Sequence, residues 1–395
     1  MNRNKVFAAM LTLVMLICTV LPASADGLPK AEQASAQEAD KPAFSFGECS
    51  AAAVCECNTG TVLAEKNGSG ALPAGHLAKL MTFLLTAEAI EGGTLTEADT
   101  AVCSANANSQ QDPQIWLEVG EKITVSELMK SVSIGNANDA AVCLAEKLCG
   151  SESEYTALAN SRAAALGMKN TTFADVCGSD EATRSGAVDL CLLCAELARH
   201  KEFSGYFTTW LDTVREGKAE LVSRNRLMRS CKGIRGFKVG STKAAGECAA
   251  VCAERGDMTV CAVILGAKDE DALLEQARRL LDTAFASCEV YYPEVPEEAL
   301  AECPVTHGVR PAAPADIPGL RPVIIAKGTY KSIECEFERE ESLEAPVAAG
   351  DVLGHITFKQ EGRVLISEDI CAAEQTDRVD MGFSLKRVLF NLLNL

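Results

Sequence analysis

A chain of 395 residues is long enough for two domains, each with a hydrophobic core. Its formal net charge of −18 argues against a nucleic-acid partner, because an acidic surface repels the phosphate backbone. The 18 cysteines are an unusually large number beside only four histidines, and they raise the question of disulfides and metal sites.

The first 25 residues have the features of a secretory signal peptide. Arg3 and Lys5 supply a positively charged start, and an apolar run extends from residue 6 to residue 20. Ala23-Ser24-Ala25 is a small-residue cleavage site. A retained membrane anchor is the alternative, although the apolar run is short for a full membrane span. We therefore predict a secreted, extracytoplasmic protein.

The mature chain is predicted to begin with a disordered linker over residues 26–45, which are mainly polar and small. Loss of Cys18 with the signal peptide leaves 17 cysteines (18 − 1), an odd number, so at least one thiol lacks an intramolecular disulfide partner. Most cysteines lie in apolar runs such as 191–194, where cysteine acts as a small hydrophobic residue. We favour that interpretation over a dense disulfide framework. We expect no metal and no cofactor, since no two histidines show ligand spacing: His76, His200, His307 and His355.

The predicted elements begin with two strands, 50–57 and 61–66, around an Asn-Thr-Gly turn. A capping box at Thr124 and Glu127 predicts the start of a short helix. Strands at 247–253 and 258–267 are joined by a tight turn. Apolar residues at helical spacing and capping signals predict further helices at about 75–90, 138–148, 151–167, 186–199 and 270–287.

Strands at both ends of residues 46–288, with helices between them, predict an α+β domain in which helices cover an antiparallel sheet. Over residues 289–378, short β-like runs alternate with Pro and Gly turns, so we predict a small β-sandwich-like domain. Residues 379–395 are predicted to form a basic amphipathic tail. Such a tail is too short to span a bilayer but could rest on one as a peripheral contact. The alternatives are packing on its own domain or on a second copy.

Three short motifs carry the functional signal. In the first, His76 and Lys79 are three positions apart, which places them about one helical turn apart. The second motif is Asn136-Ala137-Asn138. The third is Lys238-Val239-Gly240, followed by Ser241.

These motifs resemble, in order and spacing, those of the penicillin-binding D-alanyl-D-alanine carboxypeptidases, the low-molecular-weight penicillin-binding proteins of serine peptidase family S11. The segments 50–54, 59–67, 116–125, 138–142 and 167–173 also resemble family segments. The resemblance implies a β-lactamase/transpeptidase-like fold, often followed by a β-sandwich. It also implies a cell-envelope location and peptidoglycan stem peptides as partners.

The same motifs depart from the family pattern where the chemistry occurs. The family motifs read Ser-x-x-Lys, Ser-x-Asn and Lys-Thr-Gly. Here His76 stands at the nucleophile position, and Asn136 and Val239 replace the other two hydroxyl residues. Both lysines remain, Lys79 and Lys238. Because acyl transfer needs an activated nucleophile, a general base and donors for the oxyanion, the missing hydroxyls predict impaired catalysis.

We therefore expect a carboxypeptidase homologue that binds a stem peptide or a partner enzyme with little or no activity. An active carboxypeptidase that trims pentapeptides through an unrecognised nucleophile is the alternative, and a purely structural role is a third hypothesis. The resemblance assigns the catalytic positions to His76, Lys79 and Asn136. It assigns ligand binding to Asn138, Lys238, Val239, Gly240 and Ser241, with Lys238 holding a carboxylate.

Overall fold

The computed structural model describes residues 44–393. The predicted signal peptide and nearly all of the predicted linker lie outside these residues. The predicted fold class is confirmed: helices cover an antiparallel sheet, and a β-rich part follows. The predicted domain limits at residues 288 and 378 stay predictions.

A five-stranded antiparallel sheet forms the centre of the first part, with strand order β2-β1-β5-β4-β3. Strand β1 is buried along its whole length because helices cover both faces of the sheet. Its residues are accordingly small or apolar, except for Glu56 at its end. The strands are β1 Ala51–Glu56, β2 Thr61–Lys66, β3 Ile234–Thr242, β4 Gly246–Arg255 and β5 Met258–Ala267.

One face of this sheet carries most of the helices, which share a large apolar core with it. They are α1 Lys79–Glu91, α2 Val125–Ser133, α3 Asn138–Cys149, α4 Glu152–Ala165 and α5 Ala187–Arg199. The opposite face packs against α6, Glu270–Ser287, through a second core. Shorter helical segments are Gly75–Ala78, Ala105–Asn108, Lys201–Phe203, Ser204–Thr208 and Arg226–Arg229. Short strands pair Leu72–Pro73 with Arg184–Ser185, Thr100–Val102 with Lys122–Thr124, and Leu211–Val214 with Ala219–Val222.

Side-chain caps explain why several helices begin where they do. The Thr124 hydroxyl accepts a hydrogen bond from the Glu127 amide at 3.2 Å, and the Glu127 carboxylate accepts from the Thr124 amide at 3.4 Å. This reciprocal pair is the predicted capping box. At the start of α6, the Asp269 carboxylate accepts from the Ala272 amide at 2.8 Å.

Buried thiols form a row across three strands of the central sheet. Cys55 of β1 faces Cys261 of β5, which in turn faces Cys252 of β4. Cys191 and Cys194 of α5 lie in the same core. Most of the 17 cysteines in the described residues are buried, as expected of small core residues.

The C-terminal part contains a four-stranded antiparallel sheet and smaller pairs around a third core. Its longer strands are β6 Cys288–Tyr291, β7 Val323–Ala326, β8 Ile333–Arg339, β9 Val352–Gln360 and β10 Arg363–Ala372. Its shorter segments are Glu297–Leu300, Cys303–Thr306, Ala312–Ala313, Ala315–Asp316, Tyr330–Ser332 and Leu343–Glu344.

A last helix, α7, extends over Met381–Leu393. Among the residues described, no helix is both long and apolar enough to cross a membrane. Several apolar side chains of α7 are more than half exposed: Met381, Leu385, Val388, Phe390, Leu392 and Leu393.

Candidate functional site

His76 lies in the tight helical turn Gly75–Ala78 that leads directly into α1. Gly75 has φ +53°, a conformation that glycine adopts without steric cost, and a Cβ there would lie 3.0 Å from Ala245 Cβ. The turn is therefore pressed against the residues that follow β3. This packing fixes the direction in which the His76 side chain leaves the backbone.

The His76 ring packs on the backbone of β3. A Cβ at Gly240 would lie 2.9 Å from both Cβ and Nδ1 of His76, so only glycine leaves room for the ring. His76 is 6 % exposed, and its Nδ1 has no hydrogen-bond partner in residues 44–393. Burial, and then the positive charges of Lys79 and Lys238, lower the pKa of the imidazole from 6.5 to about 2. The imidazole is thus neutral at physiological pH.

Lys79 is fully buried beneath this turn. Its Nζ has no hydrogen-bond partner within the described part of the chain. Burial lowers the pKa of Lys79 to about 8, against the opposing effects of Cys177 and Asp175. An amine with a pKa near 8 can accept a proton close to neutral pH, so Lys79 keeps the property of a general base.

Asn136 joins the helices to the sheet. Its Nδ2 donates to the Val239 carbonyl at 2.8 Å, and its Oδ1 accepts from Lys238 Nζ at 2.6 Å. Lys238 Nζ also donates to the Val132 carbonyl at 2.5 Å. Burial and the charge of Lys79 hold the pKa of Lys238 well below its usual range. Lys238 and Asn136 therefore bond to each other and to the backbone.

Asn138 begins α3 and holds the neighbouring loop. Its Nδ2 donates to the carbonyl of Gln111 at 2.8 Å, and its backbone amide donates to the Pro113 carbonyl at 2.6 Å. Its Oδ1 has no partner in the described residues. The hydroxyls of Ser131 and Ser133 donate to carbonyls one turn earlier in α2, at 2.7 and 2.8 Å. Both hydroxyls are thus engaged within their own helix.

Val239 does not occupy the position that a cleft residue would need. Successive side chains of a strand point to opposite faces, and Val239 lies in the core beneath α6. Its neighbour Lys238 points to the other face of β3, and Gly240 contacts His76 there. Val239 contributes to the site only through its backbone carbonyl, which accepts a hydrogen bond from Asn136.

Four of the predicted site residues line a cleft of about 730 Å³. Its lining includes His76, Asn136, Asn138, Ser241, Arg224 and Lys243. Lys79 and Lys238 lie fully buried beside it rather than on its surface. Arg224 is not among the site residues that the sequence predicted. Arg224 Nη1 donates to Ser241 Oγ at 3.1 Å, and its guanidinium also pairs with Glu247 and Glu270.

A family model for D-alanyl-D-alanine carboxypeptidases matches residues 36–269, and one for the C-terminal domain of penicillin-binding protein 5 matches residues 314–378. The D-alanyl-D-alanine carboxypeptidase DacF of Bacillus subtilis strain 168 is 31 % identical over 87 % of this chain and 89 % of its own length. The chain belongs to the D-alanyl-D-alanine carboxypeptidase family.

Solved structures agree with this assignment. Penicillin-binding protein 5 of Haemophilus influenzae shares the fold with a TM-score of 0.75, at 22 % identity over 84 % of this chain and 98 % of that one. Penicillin-binding protein D2 of Listeria monocytogenes, solved in its ampicillin-bound form, is 29 % identical over 60 % of this chain and 97 % of that one, with a TM-score of 0.53. The predicted family resemblance is confirmed, and the chain is a carboxypeptidase-type penicillin-binding protein of peptidoglycan metabolism.

Proposed function

We propose that this carboxypeptidase homologue binds the peptidoglycan stem peptide in its cleft without cleaving it. The observation that carries the proposal is the environment of Lys79. Its amine bonds to no hydroxyl group in residues 44–393, and the side chain at the nucleophile position is a buried, neutral imidazole packed on Gly240. A base without a hydroxyl to activate cannot generate the alkoxide that attacks a peptide carbonyl.

The cleft retains the means to hold an anionic ligand. Lys243 brings a positive charge to its surface, and the Arg224 guanidinium, which pairs with Glu247 and Glu270, lies beside the Ser241 hydroxyl. One Nη1 N–H of Arg224 is not used in its bonds to Ser241, Glu247 and Glu270. A guanidinium N–H forms a strong, charge-assisted hydrogen bond to a carboxylate oxygen. We assign the terminal carboxylate of the stem peptide to Arg224 and Ser241. Lys238 acts indirectly, because its two hydrogen bonds position Asn136 and α2.

Replacement of Arg224 by alanine is expected to weaken binding of a pentapeptide ending in D-Ala-D-Ala at least tenfold, about 1.4 kcal/mol. Arg226→Ala is the matched control, since Arg226 also pairs with Glu270 but does not line the cleft. Calorimetry on the mature chain measures both affinities. Equal affinities of the two variants would refute the carboxylate assignment, and release of D-alanine by the unaltered chain would refute the absence of cleavage.

We further propose an extracytoplasmic location, with α7 resting on a membrane surface. The exposed apolar side chains of α7 and the basic residues Lys386 and Arg387 support this placement. The mature chain is expected to float with anionic phospholipid vesicles, and a chain ending at residue 378 is expected to stay in solution. Flotation of both chains, or of neither, would contradict the proposal.

A further inference from the structure

Trp116 is presented to solvent in an unfavourable backbone conformation. Its φ is +55°, a region that bulky residues rarely adopt, and the residue is 66 % exposed. Both neighbours, Ile115 and Leu117, are buried in the core. An exposed indole on a strained residue between two buried anchors points to a functional role, because strain of this kind concentrates at ligand sites.

A buried carboxylate holds the strained segment in place. The side chain of Asp139 accepts hydrogen bonds from the amide of Ile115 at 3.1 Å and from that of Leu117 at 3.0 Å. Arg215 Nη1 donates to the Ile115 carbonyl at 2.8 Å. The backbone on both sides of Trp116 is thus fixed by side chains from distant parts of the chain, and the indole is held outward.

The segment that displays Trp116 is continuous with the cleft. Gln110 to Pro113 line the cleft, and Trp116 follows only three residues later, a distance of at most about 10 Å. Two consecutive residues of α3 hold both ends: Asn138 bonds Gln111 and Pro113, and Asp139 bonds the neighbours of Trp116. A ligand that leaves the cleft along this segment would reach the indole.

The chemistry of this surface suits a sugar ring. The indole offers a flat apolar face, while the adjoining exposed residues Gln111, Asp112 and Glu118 are polar or acidic. A pyranose has a face of C–H groups and a rim of hydroxyls, which matches an aromatic face with polar neighbours. Five extended peptide residues span at most about 17 Å, so the sugar attached to a stem peptide in the cleft lies within reach of Trp116.

We propose that Trp116 stacks on a sugar ring of the glycan strand that carries the stem peptide. This inference rests on the proposed binding of that peptide in the cleft. It extends the ligand from a peptide to a glycopeptide. An apolar protein or lipid surface is the competing occupant, since Val119 beside it is also exposed.

The test compares two probes on the full mature chain by calorimetry: the free stem pentapeptide and the same peptide attached to its disaccharide. The unaltered chain is expected to bind the disaccharide-peptide at least tenfold more tightly. Trp116→Ala is expected to abolish this difference while the affinity for the free peptide stays the same. Trp210→Ala is the control, since Trp210, the other tryptophan, lies beneath Arg229 and is expected to leave both affinities unchanged.

The outcomes separate the two proposals. Equal affinity of the unaltered chain for both probes, or an equal loss of both in Trp116→Ala, would overturn the sugar contact and favour an apolar partner. Failure of the unaltered chain to bind either probe would overturn the proposed function and the sugar contact with it. With Trp210→Phe, Trp116 is the sole tryptophan, and its emission is expected to respond to the disaccharide-peptide only.

Discussion

Substitution of His76 by serine is expected to give a protein that a fluorescent penicillin labels covalently, while the unaltered chain stays unlabelled. Serine at this position would lie one turn from Lys79, whose amine is buried and has no partner in the described residues. The hydroxyl oxygen would attack the β-lactam carbonyl, the ring C–N bond would open, and the hydroxyl proton would pass through Lys79 to the leaving nitrogen. We expect labelling at least about a hundredfold faster than background, since nucleophile removal in hydrolases costs far more.

The pH dependence of this labelling tests the role of Lys79. Only the neutral amine can accept the serine proton, and burial lowers the pKa of Lys79 to about 8. The labelling rate is therefore expected to rise with pH and to level off above about 8, rather than near the ordinary lysine value of 10.5. Stopped labelling reactions read on a gel over a pH series measure the profile.

Two control variants make the result decisive. His76→Ala opens the same space without a hydroxyl, and His76→Ser combined with Lys79→Met provides the hydroxyl without the base. Neither is expected to be labelled. An unlabelled but folded His76→Ser protein would contradict the view that the missing hydroxyl blocks acylation, and labelling of the unaltered chain would contradict the proposed inactivity.

Substitution of Gly178 by alanine is expected to lower the free energy of unfolding by about 3 kcal/mol or more. Gly178 has φ +72°, and a Cβ there would lie 1.8 Å from the Gly75 carbonyl oxygen. Relief of this overlap requires movement of the turn that carries His76. We therefore expect loss of stem-peptide binding together with loss of stability, measured by calorimetry and by urea unfolding.

Gly120→Ala is the control that separates the steric overlap in Gly178→Ala from the backbone strain, which both substitutions introduce. Gly120 has φ +84°, and a Cβ there would meet nothing within 4 Å in the part of the chain that the structure describes. Alanine in the left-handed region alone costs roughly 1 kcal/mol. Comparable losses in the two variants would show that the contact between Gly178 and the His76 turn contributes little.

The sequence supported the prediction of elements better than the prediction of side-chain directions. Apolar spacing predicted α6 over its full length because an apolar stripe at helical spacing is a local signal. The first turn of the helix predicted at 75–90 is instead a tighter helical turn, since Gly75 has a positive φ and packs against Ala245.

The composition of the site depends on strand register and on contacts between distant segments. Val239 aligns with the threonine of the family motif, yet the alternation of β3 directs its side chain into the core beneath α6. Arg224 reaches the cleft only because its segment lies beside Ser241. The presentation of Trp116 depends on Asp139, which is 23 positions later in the chain (139 − 116). No local pattern encodes these relations.

The pairing of β1 with β5 has a consequence for biosynthesis. Cys55 faces Cys261, a separation of 206 residues (261 − 55). Formation of such a remote pair requires closure of a long loop, which is slow. Until β5 pairs with it, the apolar strand β1 lacks its inner neighbour and stays exposed to aggregation. A chaperone that shields this strand before β5 pairs with it would therefore govern the yield of folded protein.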